Sequence, residues 1–344
     1  MIRFDCDYTE GAHPTILDAL AKTNMEQTAG YGMDPHCRRA RKLIMDACDT
    51  PHADVHFLVG GTQANTTVIN AILRPYQGVL SADTGHINVH ETGAIEATGH
   101  KVITLPNKEG KITAEQVQKA YESHYQDATH EHMVQPAMVY ISHPTEFGTL
   151  YTLEELKALH QVCQSCQMPL FLDGARLGYG LMAKQTDITL QDIARMCDVF
   201  YIGGTKVGAL FGEAIVITNP ALKKDFRYMI KRHGGMLAKG RILGIQFETL
   251  FENGLYTQIA KEAIHYAMEI KAAFIHHGFE LYADSFTNQQ FPILSEKQMI
   301  ALEKKYIFSR WEKLPDARWA VRFCTSWATQ KEQVNALIQD IENL

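Results

Sequence analysis

The sequence lacks a segment that could cross a bilayer. Its apolar runs, such as 137–141 and 169–172, have the length of a strand, far short of the roughly 20 residues that a membrane helix needs. The N-terminus reaches an arginine at position 3 and contains no apolar core of signal-peptide length. We therefore expect a cytoplasmic protein that has no membrane partner.

The chain also lacks a strong excess of charge of either sign. Lys and Arg together number 33 and Asp and Glu number 39, which gives a net charge of −6 over 344 residues. Acidic and basic residues alternate, and no long tail carries one sign only. Because nucleic acids attract strongly basic surfaces, we expect no nucleic-acid partner.

Cysteine and histidine patterns typical of metal or disulfide sites are missing. The seven cysteines are an odd number scattered from Cys6 to Cys324, which indicates reduced thiols. The one C-x-x-C pair, Cys163 and Cys166, lies in a segment with helical spacing and has no second pair. The His130-Glu131-His132 cluster does not have the H-E-x-x-H spacing of zinc enzymes. We expect no metal site.

What the chain does contain is an alternation of short apolar runs and segments of helical periodicity. Such near-continuous apolar strands predict an α/β fold with a mostly parallel seven-stranded sheet, covered by helices on both faces. The last strand follows a glycine-rich turn and could be an antiparallel insertion. The predicted strands are 55–59, 79–81, 101–105, 137–142, 170–173, 199–202 and 214–217.

The alternation of strands and helices ends after Pro220, where helical segments dominate and shorter strands follow. The chain therefore predicts a large α/β domain, residues 1–250 with the N-terminal segment, and a small C-terminal α+β domain, residues 251–344. The segments behind this division are the helices 241–251, 256–276 and 331–342 and the strands 279–282, 291–293 and 320–324.

Ligands of a doubly wound sheet bind beyond the carboxyl ends of its strands, and three polar clusters fall there. The first, Gly60-Gly61-Thr62-Gln63, follows strand 55–59 and opens a helix. Its backbone N–H groups and the helix start could cradle a phosphate. The alternative is an ordinary glycine turn with a threonine cap. The cluster is neither G-x-G-x-x-G nor a P-loop, so a dinucleotide site is not indicated.

The second cluster is Asp173-Gly174-Ala175-Arg176, directly after strand 170–173. A strand-end carboxylate can cap a loop, or it can face a pyridine nitrogen and keep that nitrogen protonated. The planar fork of Arg176 suits a carboxylate or a phenolate oxygen.

The third cluster, Gly203-Gly204-Thr205-Lys206, follows strand 199–202. A Schiff-base lysine needs a desolvated position with room for a ring, although alone this lysine could equally belong to a surface turn. Only one helix and one strand separate Asp173 from Lys206, so both can rise from neighbouring strand ends. His86 follows strand 79–81 and could stack on a ring there, or could be a loop histidine.

With these clusters the chain resembles the threonine-aldolase/β-eliminating-lyase family, which has the fold type of aspartate aminotransferase. The resemblance covers residues 7 to about 325. The matching stretches are Asp7 to Pro14, Tyr31-Gly32 with Asp34-Pro35, Gly61 to Asn65, His86, Asp173 to Arg176, Thr205-Lys206 and Val321-Arg322.

The resemblance implies pyridoxal 5′-phosphate (PLP) as cofactor and a role for each matching residue. Lys206 would carry PLP as a Schiff base, Asp173 would bind the pyridine nitrogen and His86 would stack on the ring. Gly61 and Thr62 would hold the phosphate, and Thr205 would lie in the cofactor site. Arg176 and Arg322 would grip the substrate carboxylate, although Arg322 taken alone could be a surface arginine at a strand edge. A homo-oligomer, dimer or tetramer, would bring Tyr31 near a shared active site.

Two positions depart from the family pattern. Cys6 stands where these enzymes have a substrate-binding serine. Glu146, in Thr145-Glu146-Phe147-Gly148, stands where they have a histidine that addresses the substrate β-hydroxyl. Glu146 could act as the base, since burial would raise its pKa, or it could mark a different β-substituent.

The predicted function is cleavage of L-3-hydroxy amino acids to glycine and an aldehyde, with Glu146 or a water near His86 as the base. The closest alternative is a β-eliminating or other PLP lyase that uses the same Lys206 and Asp173. A PLP-binding protein without turnover is the alternative of another class. A serine hydrolase is not indicated, because the chain has no G-x-S-x-G motif.

Overall fold

The helices and strands alternate through the first two thirds of the chain. The computed structural model describes residues 1–344. The strands are β1 (Ile2–Arg3), β2 (Asp54–Leu58), β3 (Gln77–Ala82), β4 (Lys101–Leu105), β5 (Gln135–Ser142), β6 (Leu170–Asp173), β7 (Val199–Gly203), β8 (Glu213–Ile217), β9 (Leu281–Ala283), β10 (Gln289–Leu294), β11 (Tyr306–Ile307), β12 (Ser309–Lys313) and β13 (Trp319–Cys324).

The α-helices vary widely in length, from four residues in α4 to 22 in α11. They are α1 (Pro14–Lys22), α2 (Pro35–Ala47), α3 (Gly61–Ile72), α4 (His86–Val89), α5 (Ala114–Gln126), α6 (Leu153–Ser165), α7 (Leu177–Met182), α8 (Leu190–Met196), α9 (Phe226–Arg232), α10 (Arg241–Glu252), α11 (Leu255–His276), α12 (Glu296–Glu303) and α13 (Lys331–Glu342). No helix has both the length and the apolar composition that crossing a bilayer would require.

Seven strands form the large sheet in the order β2-β8-β7-β6-β5-β3-β4. All neighbouring pairs among β3 to β7 are parallel, whereas β8 pairs antiparallel with both β7 and β2. The predicted fold class and the antiparallel insertion are confirmed. The direction reverses at β8 because only the glycine-rich segment 204–212 joins it to β7, too short for the crossover that a parallel strand needs.

Both faces of this sheet are buried, as the continuous apolar strands predicted. In β7, Phe200 and Ile202 lie in a core under one helical layer, while Val199 and Tyr201 lie in a second core on the opposite face. Successive side chains of a strand point to opposite faces, so a strand covered on both sides must be apolar at every position.

A second sheet, β12-β13-β10-β9, is antiparallel and packs against the C-terminal helix α13. Its core includes Phe4 from the N-terminus together with Phe323 and Leu337. β1 pairs with β11, so the first residues of the chain lie against this smaller unit. The division at residues 250 and 251 stays a prediction.

Helix α11 packs against both cores. Its first half contributes Ile259 and Ala263 to the large core, and its second half contributes Ile270 and Phe274 to the small one. The small sheet is thereby held beside the large one, where Arg322 of β13 and strand-end residues of the large sheet line one cavity.

Candidate active site

A cavity of about 600 Å³ lies at the carboxyl ends of the parallel strands, between the large sheet and the small one. Nine of the predicted site residues line it together. These are Gly61, Thr62, His86, Glu146, Asp173, Arg176, Thr205, Lys206 and Arg322.

Asp173 is the last residue of β6 and is buried. Its Oδ2 accepts hydrogen bonds from Tyr140 Oη at 2.6 Å and from Asn65 Nδ2 at 3.1 Å, and its Oδ1 accepts from the Ala175 N–H at 3.0 Å. Burial raises the pKa of Asp173, but the electrostatic interaction with His86 and these hydrogen bonds outweigh burial, so that its pKa is lowered. Asp173 is therefore a carboxylate at neutral pH.

Lys206 lies three residues beyond β7 and faces the same cavity. Its Nζ has no ion pair or hydrogen bond within the chain, while its carbonyl accepts from Tyr179 Oη at 2.6 Å. Burial and the nearby charge of Arg176 lower the pKa of Lys206. A free amine with a lowered pKa is the form that attacks an aldehyde.

Close packing explains one glycine in the lysine cluster and one in the phosphate cluster, Gly203 and Gly61. A Cβ on Gly203 would lie 2.3 Å from the Ala175 carbonyl oxygen, so only glycine lets β7 end beside the Asp173 loop. Gly61 is the first residue of α3, and a Cβ there would lie 3.0 Å from Tyr201 Oη. The free N–H groups of the α3 N-terminus thus open on the cavity beside Thr62 and Thr205, as a phosphate cradle requires.

His86 opens helix α4, and its partly buried ring lies on the cavity wall. Its Nδ1 is 2.8 Å from Oε1 of the fully buried Glu91. The His90 ring, also on the cavity wall, lies 5.6 Å away between centroids. The position beside the cavity suits the predicted stacking role.

Glu146 lies in the loop after β5. Its Oε1 accepts from the His86 N–H at 2.9 Å and from Ser142 Oγ at 2.7 Å, whereas its Oε2 is buried without a partner. Burial raises the pKa of Glu146 above its ordinary value. The carboxyl group can therefore exchange a proton with a bound molecule.

The two arginines have different surroundings. Arg176 already forms a bidentate ion pair with buried Asp7, with Nε–Oδ2 at 2.7 Å and Nη2–Oδ1 at 2.9 Å. The fork expected to take the substrate carboxylate holds an internal carboxylate instead. Arg322 contacts neutral groups only, namely the Asp5 carbonyl oxygen, Gln289 and Ser309.

Cys6 and Tyr31 are the two predicted site residues that this chain does not bring to the cavity. Cys6 lies beside a separate, smaller pocket near the N-terminus, with Asp5 as its side-chain partner. Tyr31 is about half exposed at 48% of its surface, and Lys231 lies over its ring at 5.1 Å. The substrate contacts predicted for them stay predictions.

Several residues of the site had no assigned role from the sequence. Asn65 and Asp7 fall inside the stretches that match the family, but the sequence does not indicate which side chains they contact. Glu91 and Tyr140 carry no motif, and only the folded chain shows their contacts. Glu213, the first residue of β8, lines the cavity as a further buried carboxyl, and burial raises its pKa to about 8.

The donor set fits a phosphorylated pyridine aldehyde such as PLP. The cavity combines a lysine amine of lowered pKa, a buried carboxylate for a ring nitrogen, an imidazole on the wall and a helix N-terminus for a phosphate. Those four groups correspond to the four parts of PLP that a protein must hold.

Comparison with solved structures places the fold in a known class. Aspartate aminotransferase from Thermus thermophilus superposes with a TM-score of 0.72 over 100% of this chain and 91% of that one, at 13% identity. A structure of Leishmania major threonine aldolase superposes with a TM-score of 0.97 over 100% of this chain and 99% of that one, at 43% identity. The fold is thus the aminotransferase type.

The chain belongs to the beta-eliminating lyase family. The sequence profile of that family matches residues 5–298. The low specificity L-threonine aldolase of a Pseudomonas species (strain NCIMB 10558) is 30% identical, with 98% of this chain and 96% of that protein covered. The family resemblance deduced from the motifs is confirmed.

Proposed function

We propose that the protein is a PLP-dependent lyase that cleaves L-3-hydroxy amino acids, threonine among them, to glycine and an aldehyde. The observation that carries the proposal is the shared cavity of Lys206, Asp173 and the unpaired cation Arg322. Membership in the beta-eliminating lyase family and the threonine aldolases similar to this chain support it.

The bound cofactor would supply an aldehyde, which links to amines, and a pyridine ring that takes up the electrons of the broken Cα–Cβ bond. Lys206 Nζ holds the cofactor between turnovers. The Asp173 carboxylate holds a proton on the ring nitrogen, which a group of lowered pKa can do at neutral pH. The amides around Gly61, with Thr62, bind the phosphate.

Arg322 binds the substrate carboxylate, because it is the cavity's arginine without an acidic partner. Its guanidinium also lies over the Trp311 ring, 5.3 Å from the centroid, and this cation–π contact favours its position on the cavity wall. Glu146 Oε2 takes the β-hydroxyl proton of the substrate, and a nearby water beside His86 is the alternative base. Holding the carboxylate at one end and the hydroxyl at the other orients the Cα–Cβ bond for cleavage.

A β-eliminating reaction is the second candidate, and Glu146 is the observation that favours it. Because burial raises the pKa of this group, its Oε2 takes up a proton more readily than an ordinary carboxylate and can give that proton to a departing β-substituent. The products separate the two reactions, since cleavage yields glycine and an aldehyde while elimination yields ammonia and a keto acid.

We further propose a homo-oligomer, a dimer or tetramer, of two-domain subunits in the cytoplasm. Large apolar side chains are exposed within one short segment, with Met25 at 88% and Met33 at 56% exposure flanking Tyr31. Burying such a segment against a second copy would remove apolar surface from water. Light scattering of the holoenzyme measures the subunit number, and a monomer at micromolar concentration would refute this part.

The deciding experiment incubates the holoenzyme with L-threonine and with L-allo-threonine and quantifies all products. We expect acetaldehyde and glycine in equal amounts, and no product from Lys206→Ala. The matched control, Lys184→Ala, replaces an exposed lysine and should keep wild-type turnover. Ammonia and a keto acid without glycine would establish elimination instead. No product from a panel of amino acids, despite bound cofactor, would indicate a binding protein.

A further inference from the structure

We propose that Glu91 is a positioning residue that fixes His86 and, through Asn65, ties it to Asp173 as one rigid unit around the cofactor ring. The inference rests on the proposed function, because it assigns the unit to a PLP site. Glu91 lies two residues after helix α4 and is not among the side chains that line the cavity.

The contacts form an unbroken chain from one side of the site to the other. Glu91 Oε1 is 2.8 Å from His86 Nδ1 and accepts from Asn65 Nδ2 at 2.7 Å. The same Asn65 nitrogen donates to Asp173 Oδ2 at 3.1 Å. The amide of Asn65 thus joins the carboxyl groups of Glu91 and Asp173, and Glu91 in turn contacts His86.

Burial makes this arrangement specific. The Glu91 side chain is fully buried, and Asn65 is also fully buried. Without the His86 and Asn65 donors the carboxyl group would be left in the interior with no hydrogen bond, a costly state. The two contacts of Glu91 therefore constrain the imidazole plane of His86 and the amide of Asn65 together. Neither group can turn without breaking its hydrogen bond to the buried Glu91.

The contact also sets the tautomer of the histidine. An ionised carboxylate only accepts hydrogen bonds, so His86 Nδ1 carries the proton and Nε2 is the nitrogen left for the cavity. A ring held in this way presents a defined face and a defined nitrogen to a bound cofactor or water. Residues that orient a functional histidine act through that histidine and need not touch the substrate.

The test uses Glu91→Gln, which keeps the size of the side chain and removes its charge, with Glu96→Gln as matched control. Glu96 is exposed in the same segment between α4 and β4, where it begins a short 3-10 helix, and has no side-chain hydrogen bond or ion pair. For Glu91→Gln we expect an altered circular-dichroism band of the bound cofactor and a fall of kcat of about tenfold or more, with KM nearly unchanged. Glu96→Gln should match wild type in each readout.

A double-mutant cycle distinguishes positioning from a general structural role. In a His86→Phe background, which keeps a ring on the wall, Glu91→Gln should lower kcat by no more than about twofold further. An undiminished effect in that background, or an unchanged cofactor band in Glu91→Gln, would overturn the inference. The circular-dichroism measurement needs bound cofactor but no turnover, so it tests this inference alone. The proposed reaction is tested separately, by the products that the wild-type enzyme forms.

Discussion

Arg176 and Asp7 form a buried bidentate ion pair between residues 169 positions apart, with both contacts shorter than 3.0 Å. Asn288, from the turn before β10, donates to Asp7 Oδ2 at 2.9 Å. The pair therefore joins the N-terminal segment, the Asp173 loop and the small sheet. Burial raises the pKa of Asp7, but Arg176 and Lys206 outweigh it and hold the pKa at about 2.

Removing the charge of Asp7 should destabilise the protein strongly. Asp7→Asn leaves Arg176 buried without a counterion, and breaking one half of such a pair costs about 3–5 kcal/mol of unfolding free energy. Denaturant unfolding of the holoenzyme measures the loss. Asp5→Asn removes the partner of the more exposed Arg3, so the loss of stability should be far smaller. Equal losses in the two variants would contradict the structural role of the Asp7 pair.

Replacing Arg322 should weaken substrate binding. Arg322→Gln removes the charge-assisted hydrogen bonds expected with the substrate carboxylate, about 1.5–3 kcal/mol, so kcat/KM should fall roughly 10-fold to 150-fold. Steady-state kinetics of aldehyde release measure it. Arg310→Gln is the control, since Arg310 lies on neighbouring β12 and pairs with Glu303 at the surface. The assignment fails if KM and kcat of Arg322→Gln stay at wild-type values.

Neutralising Asp173 should impair the chemical step. Asp173→Asn keeps the size of the side chain but cannot hold a proton on the ring nitrogen, so kcat should fall on the order of a hundredfold or more. Single-turnover kinetics with saturating cofactor separate this loss from weaker PLP binding. Asp187→Asn, at an exposed position, should behave as wild type. Near-normal turnover of Asp173→Asn would rule out the assigned role.

The pH dependence of cleavage should identify Glu146 as the base. A base must be deprotonated, and the pKa of Glu146 is raised, so kcat should fall as pH drops through a value above the ordinary 4.5. Glu146→Gln should lower kcat and abolish this acidic limb. If Glu146→Gln keeps both the wild-type kcat and its fall at acidic pH, the base is not Glu146 but the water beside His86.

The sequence predicted the large sheet well because its strands are buried on both faces. All seven strands lie within two residues of their predicted bounds, since each is a nearly continuous apolar run. Strand β12 was missed because its sequence, SRWEK, is polar and mostly exposed. Helix α2 was missed because it is rich in charge, although Asp34 caps it by accepting from the Cys37 N–H and Pro35 occupies its first turn.

The site was predictable where its residues follow strands and was not where they depend on distant partners. Asp173 and Lys206 could be placed together because neighbouring parallel strands end at the same edge. The Asp7 partner of Arg176 could not be foreseen, since no spacing rule links positions so far apart. The contacts of Glu91 could not be predicted for the same reason, because they form only when the segment after α4 packs beside Asn65 of α3.

The most direct test of the account is the identity of the lysine that binds the cofactor. Borohydride reduction of the PLP-loaded protein makes the link to the amine permanent, and peptide mass mapping then locates the phosphopyridoxyl group. We predict a single modified position, Lys206, which alone among the lysines lines the cavity with Asp173. Modification of another lysine in its place, or no modification of a protein that has bound PLP, would contradict the central claim.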